Sequence, residues 1–195
     1  MSLTDLAWLS LAAYAVHMLE EFMLNWRDWA RGVIRLPVTW PDFYMTNGIV
    51  VVLGIASASL APTLPLAPMI FAALMLINAV FFHIVPVVVT RGRYSPGVAT
   101  AVMLFLPLGY AVLHKAHVDG HAAWGTLLSA FLIGAALMAY PIILLHLRGL
   151  RYFQQVETSE ADGGIAQGAE VGEAMLSLRS FMFERVYLGP QVGPE

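Results

Sequence analysis

LAPMIFAALMLINAVFFHIVPVVV, residues 66–89, contains no Asp, Glu, Lys or Arg, and its only polar side chains are Asn78 and His83. An α-helix of about 20 such residues crosses a hydrocarbon core about 30 Å thick. Four more stretches of similar character lie at about 4–23, 42–61, 96–114 and 123–147. Composition agrees, with 59% hydrophobic and 12% charged residues against about 25% charged in soluble domains, and a mean hydropathy of +0.72. The expected fold is therefore all-α, a polytopic transmembrane bundle of about five spans in a cell membrane. The first stretch has no basic residue in Met1-Ser2-Leu3-Thr4-Asp5 and has ionisable groups where a cleavage region would fall, so it reads as a retained helix. Polar residues from Asp42 to Asn47 open the second stretch and Pro141 interrupts the last, which leaves four spans as the alternative.

The basic residues between these stretches set an orientation. With the N-terminus outside, the inner side collects Arg27, Arg31, Arg35, Arg91, Arg93, Arg148 and Arg151, while the outer connections hold only Lys115. That asymmetry is the one expected of a multi-pass protein with its C-terminus in the cytoplasm. The segment from Trp26 to Leu36 alternates Trp and Arg with apolar residues and reads as a short amphipathic helix in the inner interface. A net charge of −3 without a basic run argues against nucleic acid as a partner. The absence of Cys excludes disulfides and thiolate metal sites.

Against this apolar background, His17-Met18-Leu19-Glu20-Glu21 places an imidazole and two carboxylates within about 100° of one helix face. Charged groups cost about 2.5–3.5 kcal/mol at a bilayer centre, so this face should point inward and be paired, protonated or metal-bound. In the five-span topology Asp42, Asn47, Asn78, His83, Tyr94, Ser95, Thr100 and His146 approach the same level. His114, His117 and His121 fall near the opposite surface and read as solvated. Pro86, Pro107 and Pro141 each lie inside an apolar stretch and free the carbonyls of Phe82, Met103 and Leu137. Asn78 and His83 are about 140° apart on an ideal helix, so they share a site only if the Pro86 distortion turns one toward the other. Ser95-Pro96-Gly97 reads as an N-cap followed by Pro in the first helical position.

Three readings of the polar face remain open. A helix with His and Glu at i and i+3 can place both on one ion, and His83 completes a two-His, one-carboxylate set suited to Zn or non-haem Fe. In that reading His17, Glu20 and His83 are ligands and Glu21 the proton-transfer group, with the two Glu roles interchangeable; Asn78 and His146 are further ligands or their partners. Glu21 and Tyr94 are the candidate catalytic residues, acting on a hydrophobic substrate drawn from the lipid bilayer. A metal-free polar network, acid–base or purely structural, is the second reading. A small transporter is the third, although no inverted repeat is visible and five spans do not halve. Ala130 and Gly134 form a small-xxx-small pair that fits helix association, within the chain or in a homo-oligomer.

His17-x-x-Glu20-Glu21, Asn78-x-x-x-Phe82-His83 and Tyr94-Ser95-Pro96-Gly97-x-x-Thr100 together resemble the recurring positions of the HXXEE family of bacterial membrane proteins, over about residues 5–145. The resemblance implies a membrane protein carrying these motifs and brings no established activity, so residues 1–150 are taken as the membrane domain. Residues 151–195 read as a cytoplasmic tail, with a Gly- and Ala-rich acidic linker from Glu157 to Gly172 and an amphipathic segment from Glu173 to Leu188. Within it, residues 177–188 resemble the end of HD-type deoxynucleotide triphosphohydrolases. The His-Asp metal motif of those enzymes is absent, so no activity is transferred.

Overall fold

The computed structural model describes residues 1–148 and 150, and every regular element among them is helical. The linker, the amphipathic segment and the hydrolase-like stretch of the tail all lie outside the described residues. Helix α1 spans Leu3–Met23, α2 Trp26–Val33, α3 Trp40–Leu60, α4 Leu66–Val89, α5 Val98–Val118 and α6 Trp124–Arg148. The five long helices fall within a few residues of the five apolar stretches. By length and composition α3, α4, α5 and α6 are each able to cross a membrane. Helix α1 has the same 21 residues as α3 but carries Asp5, Glu20 and Glu21.

Local chemistry explains where the helices start. Ser2 and Asp5 form a reciprocal cap on α1, Asp5 N–H donating to Ser2 Oγ at 3.1 Å and Ser2 N–H to Asp5 Oδ2 at 2.8 Å. Thr39 and Asp42 repeat the arrangement on α3, with Pro41 in its first turn. The polar run that opens the second stretch is thus a cap and its first turn, which moves the helix start back to Trp40. Asn25, at φ 55°, turns the chain from α1 into α2. Trp29 and Ala30 of α2 pack with Leu36 and Val38, and Ile142 and Leu145 of α6 border this cluster.

Helix α4 is central and packs against α1, α3, α5 and α6. Met69, Ala72, Ala73, Leu74 and Met75 are fully buried or nearly so, as expected of a helix apolar on every side. Helix α6 approaches it closely through Gly134, where an added Cβ would lie 3.0 Å from the Leu74 backbone nitrogen. Ala130, one turn earlier, is fully buried. The small-residue pair therefore serves contacts inside this chain.

Two of the three prolines reshape their helices. In α4 the turn over Ala79–Ile84 is π-helical, with Val85 N–H donating to the Val80 carbonyl five residues back. In α5 the turn over Ala101–Phe105 is π-helical in the same way, Leu106 N–H donating to Ala101. Pro86 and Pro107 follow directly. Each removes an N–H and crowds the carbonyl four residues earlier, and a widened turn relieves that crowding. The carbonyl of Phe82, freed by Pro86, accepts the Ser95 hydroxyl at 3.4 Å. The Ser95 side chain thus serves α4, while its carbonyl accepts the Val98 N–H at the start of α5. Helix α5 starts at Val98, after Gly97 at φ 95°, later than the expected Ser95 cap and Pro96 start.

Candidate metal centre

Three helices bring the chemistry together. The last turns of α1 carry His17, Glu20 and Glu21, the π-turn of α4 carries His83, and the segment from Tyr94 into the first turn of α5 covers them. His17, Glu21 and His83 are all buried, at 1%, 5% and 0% exposure. Glu21 Oε1 lies 3.5 Å from His17 Nε2 and 3.5 Å from His83 Nε2. The three ligand-type atoms fall within 4.8 Å of one another, a group that could hold a metal ion.

The other ring nitrogen of each histidine has a hydroxyl partner. His17 Nδ1 lies 2.8 Å from Thr100 Oγ1, and His83 Nδ1 lies 3.2 Å from Ser95 Oγ. The Thr100 hydroxyl donates to Glu20 Oε2 and the Ser95 hydroxyl to the Phe82 carbonyl. With each hydroxyl proton so committed, each hydroxyl oxygen accepts from its imidazole, which puts the ring proton on Nδ1 and leaves Nε2 as a bare lone pair. Both Nε2 atoms are buried and have no hydrogen-bond partner. The rings meet edge to face at 4.8 Å, and Phe105 of the second π-turn closes over His17 with centroids 4.3 Å apart.

Adjacent glutamates have different surroundings. Glu20 accepts from the Thr100 N–H at 2.8 Å, the Ala99 N–H at 3.2 Å, the Thr100 hydroxyl and the Tyr94 hydroxyl. It occupies the exposed N–H groups at the start of α5, where a carboxylate is favoured. Desolvation, the hydrogen bond to Glu20 and the charge of that carboxylate push the Tyr94 phenol up to about 12. Tyr94 is therefore a neutral donor at physiological pH and is held in that role by Glu20. Glu21, without such donors, faces the two histidines.

Gly97 completes the arrangement. A Cβ there would lie 2.6 Å from His83 Cε1, 2.8 Å from His17 Cε1 and 3.0 Å from Glu21 Cγ, and its φ of 95° is itself a glycine conformation. The turn rests directly on all three side chains.

Of the residues singled out in the sequence, His17, Glu21 and His83 are brought together, Glu20 sits behind His17 through the Thr100 hydroxyl, and Tyr94 bonds Glu20. Asn78 is buried with its Oδ1 unpartnered, and it lines with Glu21 a cavity of about 70 Å³. His146 lies apart, exposed on α6 with its Nδ1 2.8 Å from the Ile142 carbonyl. Asp42 pairs with Arg148 at 2.9 Å, and Asn47 accepts from the Tyr14 hydroxyl. The orienting roles of Ser95 and Thr100 and the steric role of Gly97 were missed as site functions. The one available signal was their spacing just past His83 and at the start of α5.

Comparison with known proteins covers the residues of this cluster. A family described as "Protein of unknown function with HXXEE motif" matches residues 8–112. The three clustered side chains, their hydroxyl partners, Glu20, Asn78, Tyr94 and Gly97 all lie within that span. The chain is 28% identical over 136 residues to the uncharacterized protein YrkK of Bacillus subtilis (strain 168), covering 65% of this chain and 85% of that protein. No solved structure matches. The match extends over more than half of the chain and contains the entire buried cluster, and the chain belongs to the HXXEE family.

Proposed function

We propose that this is a five-span cell-membrane metalloprotein in which His17, Glu21 and His83 hold one Zn or non-haem Fe ion for a reaction on a hydrophobic substrate. The N-terminus lies outside and the C-terminus in the cytoplasm, so the centre sits toward the inner side. The observation that carries the reading is the pair of buried, unpartnered Nε2 atoms, each 3.5 Å from the same carboxylate oxygen. A buried acceptor without a partner costs about 1–3 kcal/mol, and one cation satisfies both. Metal–ligand bonds of 2.0–2.1 Å in a tetrahedron put neighbouring ligand atoms about 3.3–3.4 Å apart, close to the nitrogen–oxygen spacings here. Metal-binding histidines are oriented by a hydrogen bond from the other ring nitrogen, and hydroxyls take that place on both Nδ1 atoms here.

Two histidines and one carboxylate would hold a divalent ion with positions to spare, and an ion so bound would supply Lewis acidity or an acidified water. Glu21 is assigned as ligand, because Glu20 is committed to the start of α5. Glu20 orients Thr100 and through it His17. Tyr94, neutral, donates its one proton to Glu20 and so steadies that carboxylate behind the centre. A metal-free network is the competing reading. In it Glu21 would share a proton with the imidazoles, and such charge-assisted bonds close to about 2.7–2.9 Å, shorter than the 3.5 Å found for both pairs.

Elemental mass spectrometry on detergent-purified protein tests the reading. Near-stoichiometric Zn or Fe is expected in the unaltered chain, lost in His17→Ala, His83→Ala and Glu21→Gln and retained in His146→Ala. Absence of metal after reconstitution with either ion overturns the centre and leaves the proton network.

A further inference from the structure

The cavity beside Glu21 lies next to a larger space at the side of the bundle. That space is a crevice of about 160 Å³ between α3 and α6, and Asp42, Thr46, Pro141 and Leu145 line both. Farther out the walls are apolar, with Ile49, Val50 and Leu53 from α3 and Leu137, Tyr140 and Leu144 from α6. Ile49, Tyr140 and Leu144 are also about half exposed on the bundle surface, so the crevice opens where a lipid chain would pack in the five-span reading. At one end the Arg148 guanidinium donates to Asp42 Oδ1 across the two helices.

The inner cavity has two unmet polar needs of opposite kind. Asn78 Oδ1, in a residue 8% exposed, has no donor, and the buried Nε1 of Trp26 has no acceptor. Both residues line the cavity. Among the described residues no Lys, Arg or His lines it, whereas Glu21 and the Arg148-paired Asp42 do, so the cavity itself offers an anionic head no cation. A neutral hydroxyl can both donate to one side chain and accept from the other.

We propose that the α3–α6 crevice binds a single-chain lipid alcohol, its hydroxyl between Asn78 and Trp26 beside Glu21 and its hydrocarbon chain along the outer walls. A narrow apolar space with a few placed polar groups at its inner end is the usual form of a small-molecule site. The chain reaches it sideways from the bilayer, and its head arrives at the carboxylate that faces the two histidines. The inference rests on the proposed centre for its functional meaning, since it names the substrate class of that centre. Its physical basis is the cavity itself.

The test uses the full chain in phosphatidylcholine nanodiscs and three photoreactive probes with a diazirine near the tail: 1-hexadecanol, its methyl ether, and hexadecylamine. The ether lacks the donor and the ammonium lacks the acceptor. Saturable labelling of α3 and α6 peptides is expected for the alcohol, with the ether and the amine each about tenfold weaker, the effect of one unmade buried hydrogen bond. Asn78→Leu should bring the alcohol down to the ether. Equal labelling by alcohol and ether, or preference for the amine, overturns the proposal, and both comparisons are made on the unaltered protein. Metal content is read on the same samples. Loss of metal with hydroxyl selectivity intact overturns the centre alone, and the reverse pattern overturns the crevice reading alone.

Discussion

Five of the six histidines fall in two regions of this molecule, and the surroundings of those regions differ in almost every respect. Where α1, α4 and α5 meet, His17 and His83 are buried, each has a hydroxyl on Nδ1, and both turn Nε2 to one carboxylate. Around the turn from α5 to α6, His114, His117 and His121 are exposed. His114 stacks on Tyr110 at 5.6 Å, and the nearby charges Lys115 and Asp119 pair with each other. Three histidines within eight residues look more like a metal site in sequence than two that are 66 positions apart (83 − 17). The structure reverses that impression, because a site needs shielding, a fixed tautomer and a shared acceptor, and only the distant pair has all three.

The largest break in this contrast is removal of a ligand. Glu21→Gln or His83→Ala should lower metal affinity by well over 100-fold, beyond the 10- to 100-fold loss that outer partners of metal ligands produce. His114→Ala should leave affinity unchanged. Metal titration of reconstituted apo-protein reads both, and a comparable loss from His114→Ala would erase the distinction between the regions. Gly97→Ala comes next. Its methyl would press on the ring carbons of both histidines from a left-handed backbone, and strain with overpacking should cost about 2–4 kcal/mol. Thermal unfolding in detergent checks it against Gly120→Ala, at φ 78° but with open space around its Cβ, where only the backbone cost of about 1 kcal/mol remains.

The positions of the five long helices were legible because an apolar run of about 20 residues has few alternatives. The motif on α1 was legible because charge is conspicuous in such a run. The division of labour between Glu20 and Glu21 was not, since adjacent carboxylates differ only in what α5 presents to them. Asn78 and His83 could not be placed on one side by ideal helix geometry. The π-turn over Ala79–Ile84 changes the angular count, and periodicity of 3.6 residues carries no information about it. His146 was placed at the site level by topology alone, yet it faces outward, since depth in a bundle does not fix rotation. Ser95 was read as a cap from local rules, and the long-range demand of His83 Nδ1 and the Phe82 carbonyl proved stronger.

A smaller effect sharpens the contrast from the outer layer of the centre. Thr100→Val removes the hydroxyl between His17 and Glu20 while keeping side-chain shape. His17 loses the acceptor that fixes its tautomer, and metal affinity should fall about 10- to 100-fold. Thr100→Ser should restore most of it. Failure of serine to rescue would mean that the threonine methyl, and not the hydrogen bond, holds the ring in place.

The smallest effect belongs to the exposed region. Lys115 and Asp119 are four apart on the last turn of α5 and at its end, joined Nζ to Oδ1. Both side chains are about one-third exposed, 32% and 30%, so water competes for each charge and salt screens the pair. Lys115 also lies near the helix C-terminus, where a cation is favoured even without its partner. Lys115→Met should therefore cost at most about 1 kcal/mol and leave metal content untouched, with the cost falling as salt rises. Unfolding at low and high salt measures this. A salt-independent loss of several kcal/mol would mean that the α5–α6 turn is held by something other than a surface ion pair, and that the two histidine-bearing regions are closer in kind than their burial indicates.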